Sequence, residues 1–276
     1  MLFRQENFGR SLIALLLCSL TTAAQELYPV RLSPQLWHAE QRSLRYRPDG
    51  ESFLIHNGSR RFNRALYGTH TAFRVEAGDL PEFSMYMPGM GGNLQIGIAR
   101  AGKSIWLIRA KEITARYTPG KMSYEIQDPL LGKGTLHLEI LAMAAAEGLI
   151  LKTWLDSPNQ DIRLIYAFGG ASGKKFSRSG DMGPDPESSF YLNPENCADN
   201  KYQLEEGSFQ LKYGKAAELS GVFPAQLQLS DASALADPAA LFKSRSSGSS
   251  LISSSAALRP GESQYVMIRE GSGSVA

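Results

Sequence analysis

The sequence predicts an all-β protein, a large antiparallel β-sandwich (super-sandwich) with long loops and at most short helical turns. Many short segments alternate apolar and polar residues, the period of a strand with one buried face. Turn residues separate them, drawn from 26 glycines and 14 prolines, and no 15-residue window carries the apolar stripe of an amphipathic helix. With 276 residues and 43% hydrophobic content, the chain can bury a sizeable core as one domain.

Taken in order, the chain opens with Arg4 and Arg10 ahead of an apolar run, Leu12 to Leu20, followed by Thr21-Thr22-Ala23-Ala24. That is the pattern of an export signal cleaved after Ala24, so residues 1–24 are expected to leave. The run is shorter than the roughly 18 or more apolar residues of a membrane span. A periodic sandwich domain is expected over 25–270, with 271–276 as a linker or truncated C-terminal end. The mature chain is then expected in the periplasm or outside the cell, without a membrane anchor. Cys18 goes with the signal, leaving Cys197 no disulfide partner.

Leu44 and Tyr46, the turn Arg47-Pro48-Asp49-Gly50, then Phe53 and Ile55 predict a hairpin. Alternation continues in Phe73/Val75, Leu94/Ile96/Ile98, Ile105/Leu107, Ile113/Ala115/Tyr117, Met122/Tyr124/Ile126 and Leu136/Leu138/Ile140. It resumes in Leu149/Leu151/Thr153/Leu155, Ile162/Leu164/Tyr166/Phe168, Phe209/Leu211/Tyr213, Leu227/Leu229 and Tyr265/Met267. Each reads as a half-buried strand. Gly169 to Asn200 interrupts the period as a long loop, with Phe176, Phe190 and Tyr191 arguing for partial order. Asp231 to Phe242 fits one or two short helical turns, and the Ser/Gly tract Lys243 to Ser250 fits a solvated turn.

The richest stretch for function is Asn63 to Ile98, which sets Asn63, Arg64, Tyr67, His70, Arg74, Glu76, Asp79, Glu82 and Asn93 among short apolar alternations. Polar and aromatic groups on loops over a rigid sheet are where binding residues usually sit. Arg64, Tyr67, His70 and Asn93 suit a sugar surface, because aromatic faces stack on sugar rings while Arg and Asn make directional hydrogen bonds. Trp37 offers a similar platform, whereas Trp106 and Trp154 interrupt apolar strands and read as packing residues. Glu76, Asp79 and Glu82 supply carboxylates, and glycosidic cleavage needs two facing one bond. Gly78 and Pro81 predict a turn between them, so a solvated turn with salt bridges is the competing reading. Gly89-Met90-Gly91-Gly92 reads as a tight loop with left-handed positions, since Lys-Ser/Thr and a following helix are missing for a phosphate loop. Asp181, Asp185 and Glu187 offer oxygen ligands for calcium or form a solvated loop.

Several classes are excluded. A net charge of +2 lacks the basic footprint of a nucleic-acid binder. Cys197 and the four histidines lack zinc spacing. There is no serine-nucleophile elbow and no dinucleotide fingerprint, so neither cofactor nor resident metal is expected.

Two segments, NRALYGTHTAFRVEAGDLPEFSMYMPGMGGNL (Asn63 to Leu94) and FSRSGDMGPDPESSFYLNPENC (Phe176 to Cys197), carry a resemblance. They resemble the N-terminal β-sandwich domain of unknown function found in large secreted six-hairpin-glycosidase-like proteins of polysaccharide-degrading Gram-negative bacteria. The resemblance implies a sandwich that packs beside an (α/α)6 barrel and lends a loop to the sugar cleft, the catalytic carboxylates coming from the barrel. No barrel is visible in this sequence, and no catalytic role transfers to it. The expected function is an N-terminal module that supports a downstream helical catalytic domain and contributes to binding a polysaccharide or oligosaccharide. Arg64, Tyr67, His70, Asp79, Glu82 and Asn93 are its candidate substrate-binding residues. The alternatives are a stand-alone carbohydrate-binding or surface-interaction module without catalysis, and a sandwich that is itself a hydrolase or lyase.

Overall fold

A computed structural model describes residues 36–37, 40–41, 46–156, 161–176, 187–215, 217–246 and 248–272. The expected signal at 1–24 and the end of the expected linker, 273–276, lie outside the described residues. So do Asp181 and Asp185.

Strands β1 (Leu36–Trp37) and β2 (Glu40–Gln41) form a small antiparallel pair by themselves. From Tyr46 onward the chain is a sandwich. One sheet has ten strands: β3 (Arg47–Asp49), β4 (Ser52–His56), β10 (Glu112–Thr118), β11 (Lys121–Gln127), β12 (Thr135–Ala142), β13 (Gly148–Asp156), β20 (Ser263–Glu270), β17 (Ala217–Val222), β16 (Ser208–Tyr213) and β15 (Lys201–Glu205), in that spatial order. The other has eight. Its order is β5 (Arg64–Leu66), β6 (Arg74–Ala77), β7 (Glu82–Tyr86), β8 (Met90–Arg100), β14 (Ile162–Ala171), β19 (Ser250–Leu258) and β18 (Leu227–Asp231), with β9 (Lys103–Trp106) paired to β8. Every described pairing is antiparallel.

The period-2 apolar residues explain the architecture, because successive side chains point to opposite faces and one face of each sheet becomes continuously apolar. Leu136, Leu138 and Ile140 of β12 and Leu149, Leu151 and Leu155 of β13 face Leu94, Ile96 and Ile98 of β8 in one core. Phe83 meets Tyr124 across the sandwich with ring centroids 5.8 Å apart, and Phe168 meets Phe209 at 5.7 Å. Two buried phenols also bridge the sheets. Tyr124 donates to the Gly78 carbonyl at 2.8 Å, and Tyr166 shares a 3.0 Å hydrogen bond with Thr153.

The half-buried expectation holds for β10 to β13 but is corrected for β8 and β14, which are buried on both faces over most of their length. The reason is a covering layer. The 3-10 turns Glu187–Phe190, Pro194–Cys197 and Ala232–Ala234, together with helix α1 (Pro238–Lys243), supply a second apolar cluster in which Leu192, Cys197, Ala232 and Leu241 pack on Trp106, Ala167 and Leu251. The short helical turns expected within Asp231 to Phe242 form there; Asp237 caps helix α1 by accepting from Ala240 N at 2.8 Å, and Pro238 takes the first turn.

Four local expectations are revised. The first hairpin turns at Gly50 and Glu51, and Arg47–Asp49 is a strand. The alternation of β20 is reversed, for Val266 and Ile268 face the core while Tyr265 is exposed. The Gly89 and Gly92 positions do have positive φ, at 134° and 110°, yet Met90 already begins β8, so the glycines sit at an irregular strand start. Leu107 leaves β9 for a 3-10 turn at Leu107–Arg109.

Removing the Tyr124 hydroxyl isolates the buried Gly78 carbonyl. The Tyr124→Phe variant is expected to lose about 1–3 kcal/mol of stability, read from urea unfolding midpoints; an unchanged midpoint contradicts the bridging role.

Candidate functional site

Asp79 lies in the turn between β6 and β7 and is 1% exposed. Its Oδ2 accepts from Ser59 N and Arg60 N, both at 3.1 Å, while Oδ1 accepts from Asn63 Nδ2 at 3.0 Å and from the Tyr46 hydroxyl. Four donors on one carboxylate fold the 58–63 segment over the turn. The charge beside it, with burial, pushes the Tyr46 phenol well above its usual range, burial being the larger cause.

Glu82 at the start of β7 is 0% exposed. Its Oε1 accepts from Asn93 Nδ2 at 2.9 Å and Gln95 Nε2 at 3.2 Å, and its Oε2 stands 3.2 Å from Arg61 Nε as an ion pair. The strand register forces this meeting, since Glu82 lies opposite Gln95 and Ser84 opposite Asn93 on the outer face of the sheet. Asn93 also donates to the Phe190 carbonyl at 2.9 Å, which fastens the covering layer to β8. Burial raises the Glu82 carboxyl above its ordinary 4.5, against the pull of Arg61, Asn93 and Gln95; Glu187 adds to the rise. The rise is therefore a burial effect.

Arg64, half-buried, donates through Nη1 to Asn63 O at 2.8 Å, and its guanidinium lies 4.3 Å from the Tyr46 ring centroid and 5.6 Å from that of Tyr117. Tyr67 and His70 are exposed, Tyr67 by 56%. Their loop is shaped locally by Thr71, whose hydroxyl accepts from Phe73 N at 3.2 Å and shares a 2.8 Å hydrogen bond with Thr69. It is pressed onto the turn after β12. A Cβ at Gly68 would come within 2.1 Å of the Met143 carbonyl oxygen, so only glycine permits that approach.

The six predicted residues thus divide. Glu82 and Asn93 are brought into direct contact, Asp79 and Arg64 gather around Tyr46, and Tyr67 and His70 stand at the surface. Arg61, Gln95 and Tyr46 were not singled out by sequence reasoning; strand register, unknown before the fold, is what places Gln95 against Glu82. The same register sets Arg74 opposite Tyr86, with its guanidinium 3.7 Å from that ring and its Nε paired to Glu76.

The other candidates are structural in their surroundings. Trp106 is buried and donates to Leu235 O at 2.7 Å. Trp154 stacks on His137 with centroids 4.9 Å apart and lies under Lys152. Glu187 is 4.0 Å from Arg60, and no cluster of three metal-ligating His, Cys, Asp or Glu side chains occurs among the described residues. Grooves of about 610 Å³ near Phe223 and 630 Å³ near Lys103 include none of the six predicted residues. Position relative to the edge strand, rather than concavity, marks the Tyr67 region.

A family profile described as a domain of unknown function, DUF4450, matches residues 87–274. No curated protein matches. Among solved structures, a protein named as a kojibiose phosphorylase from the human microbiome is similar at 9% identity with a TM-score of 0.41, over 82% of this chain and 33% of that one. The chain spans about a third of that protein's length.

Glu82 yields a pH test. A carboxyl whose folded pKa is raised contributes stability that is present below its unfolded pKa and lost as pH rises through the folded pKa. The wild type is therefore expected to lose stability relative to Glu82→Gln as pH rises from the unfolded carboxyl range through the raised folded pKa, measured as the difference in urea midpoints. A constant difference across that window contradicts the assignment.

Proposed function

We propose, from the premise that this chain belongs to the DUF4450 family of domains of unknown function, that it is the accessory β-sandwich module of an exported glycoside-hydrolase-like protein acting on polysaccharide. Its role is to support a helical catalytic domain and to bind saccharide beside it. The observation that carries this reading is the division of the polar residues. Asp79 and Glu82 are buried and occupied by hydrogen bonds and an ion pair, while Tyr67 stands out from the sheet edge.

Glycosidic hydrolysis needs an acid and a base or nucleophile flanking one bond, roughly 5–10 Å apart and open to the substrate. Glu82 beneath the covering layer and Asp79 with four donors do not offer that arrangement. An exposed tyrosine does offer a flat apolar face for a sugar ring. Binding is the chemistry these groups can perform, and the periplasm or extracellular space is where an exported module would meet its glycan. The same surface also serves a stand-alone carbohydrate-binding module, which differs only in lacking the catalytic partner.

Affinity electrophoresis in gels containing plant and host glycans tests this. The intact chain is expected to be retarded by at least one glycan, with Tyr67→Ala weakening retardation roughly threefold to tenfold, the value of one aromatic stacking contact. Its thermal unfolding is expected to stay unchanged. Equal retardation of wild type and variant removes Tyr67 from the surface, and product release by the chain alone makes the sandwich an enzyme.

A further inference from the structure

The outer face of the eight-stranded sheet carries a cross-strand row that the six candidate residues only touch. Leu66, the last residue of β5, pairs with Val75; Tyr67 follows it and lies near enough to Arg74 to act on its charge, and Arg74 pairs with Tyr86. Cross-strand neighbours on one face sit about 5 Å apart, which sets Arg74 beside Tyr86, with the exposed Tyr67 just past the end of β5.

Arg74 is held in this row from two sides. Its guanidinium lies flat on Tyr86, and Tyr86 is itself backed by Phe176 at 5.4 Å, which meets Phe190 edge-on at 4.8 Å. Glu76, two residues along the strand on the same face, takes the Nε hydrogen. The two Nη amines have no hydrogen-bond partner among the described residues, and the side chain is 22% exposed. Burial disfavours the charged guanidinium here, but Glu76 more than offsets it, and Tyr67 is near enough to contribute to the same field.

We infer that Arg74 and Tyr67 form one saccharide subsite, in which the Tyr67 ring stacks on a sugar face and the fixed Arg74 fork donates to two neighbouring hydroxyls of a neutral sugar unit. This rests on the saccharide-binding reading above and adds the ligand's class. A planar guanidinium with its orientation fixed loses little freedom when it donates two parallel hydrogen bonds. Charge decides between ligands. Glu76 already neutralises Arg74, so a uronate or sulfate group would meet a carboxylate beside the fork and lose most of the attraction that an unpaired arginine offers. Neutral hydroxyls meet no such opposition.

The test uses the intact chain and isothermal titration with neutral oligosaccharides (β-glucan, xylan and mannan fragments) and with oligogalacturonate. The wild type is expected to bind a neutral oligosaccharide and to bind oligogalacturonate at least tenfold more weakly. Arg74→Lys keeps the charge and removes the fork; it is expected to lose at least tenfold in affinity while its thermal unfolding stays that of the wild type. Glu76→Gln, which exposes the charge, is expected to raise oligogalacturonate affinity. Arg74→Lys binding as tightly as wild type, or wild type preferring oligogalacturonate, overturns the subsite. If Tyr67→Ala loses binding while Arg74→Lys does not, saccharide binding stands and this inference falls. If the wild type binds none of the probes, both fall.

Discussion

A carboxylate removed from water must be compensated, and Glu82 shows how much of the molecule is arranged to do so. Arg61 comes from the segment folded by Asp79, Asn93 and Gln95 come from the neighbouring strand, and Asn93 carries the connection on to Phe190 in the covering layer. Burying this charge costs several kcal/mol before its partners are counted, so the site persists only because the 58–63 segment and β8 converge on it. The same convergence explains why β8 and β14 are apolar toward the core yet buried outside as well. The covering turns close over the sheet where Glu82 accepts from Asn93 and Gln95 and Asn93 donates onward to the Phe190 carbonyl.

That arrangement separates two kinds of residue which look alike in a sequence. Asp79, Glu82 and Asn93 share a short stretch with Tyr67, His70 and Arg74, and all are polar or aromatic. Burial and hydrogen bonds to neighbouring segments assign the first group to holding loops in place. Exposure and a fixed orientation leave the second group able to meet a ligand. Tyr67 and His70 follow β5, beyond which no further strand is described in that sheet.

The sandwich was legible wherever alternation was regular. Leu136/Leu138/Ile140 and Met122/Tyr124/Ile126 named their strands and their buried faces, and the segment Asp231 to Phe242 held the short helical turns. What escaped were strands whose apolar period is hidden by function or by contact on both faces. In β7, Glu82 and Ser84 occupy buried positions of the outer face. In β19, Ser253, Ser254 and Ser255 are buried serines that a composition-based reading assigns to loops, whereas Ser253 bonds to Ser230 at 2.7 Å and Ser254 to Ala225 O at 3.2 Å. Site residues were legible as a cluster in sequence but not as partners. Gln95 against Glu82, and Tyr86 against Arg74, depend on register, and a one-residue slip would have sent each to the other face.

The covering layer's dependence on the buried node is the point on which the account turns, and hydrogen–deuterium exchange reads it directly. Asn93→Ala cuts the link between Glu82 and the Phe190 carbonyl while leaving the core side of β8 intact. Faster exchange is expected in residues 187–200 and 58–63 alone, with β10 to β13 unchanged. Unaltered exchange in both segments would show that the layer is held by its apolar contacts alone, and the anchoring role assigned to Glu82 and Asn93 would be wrong.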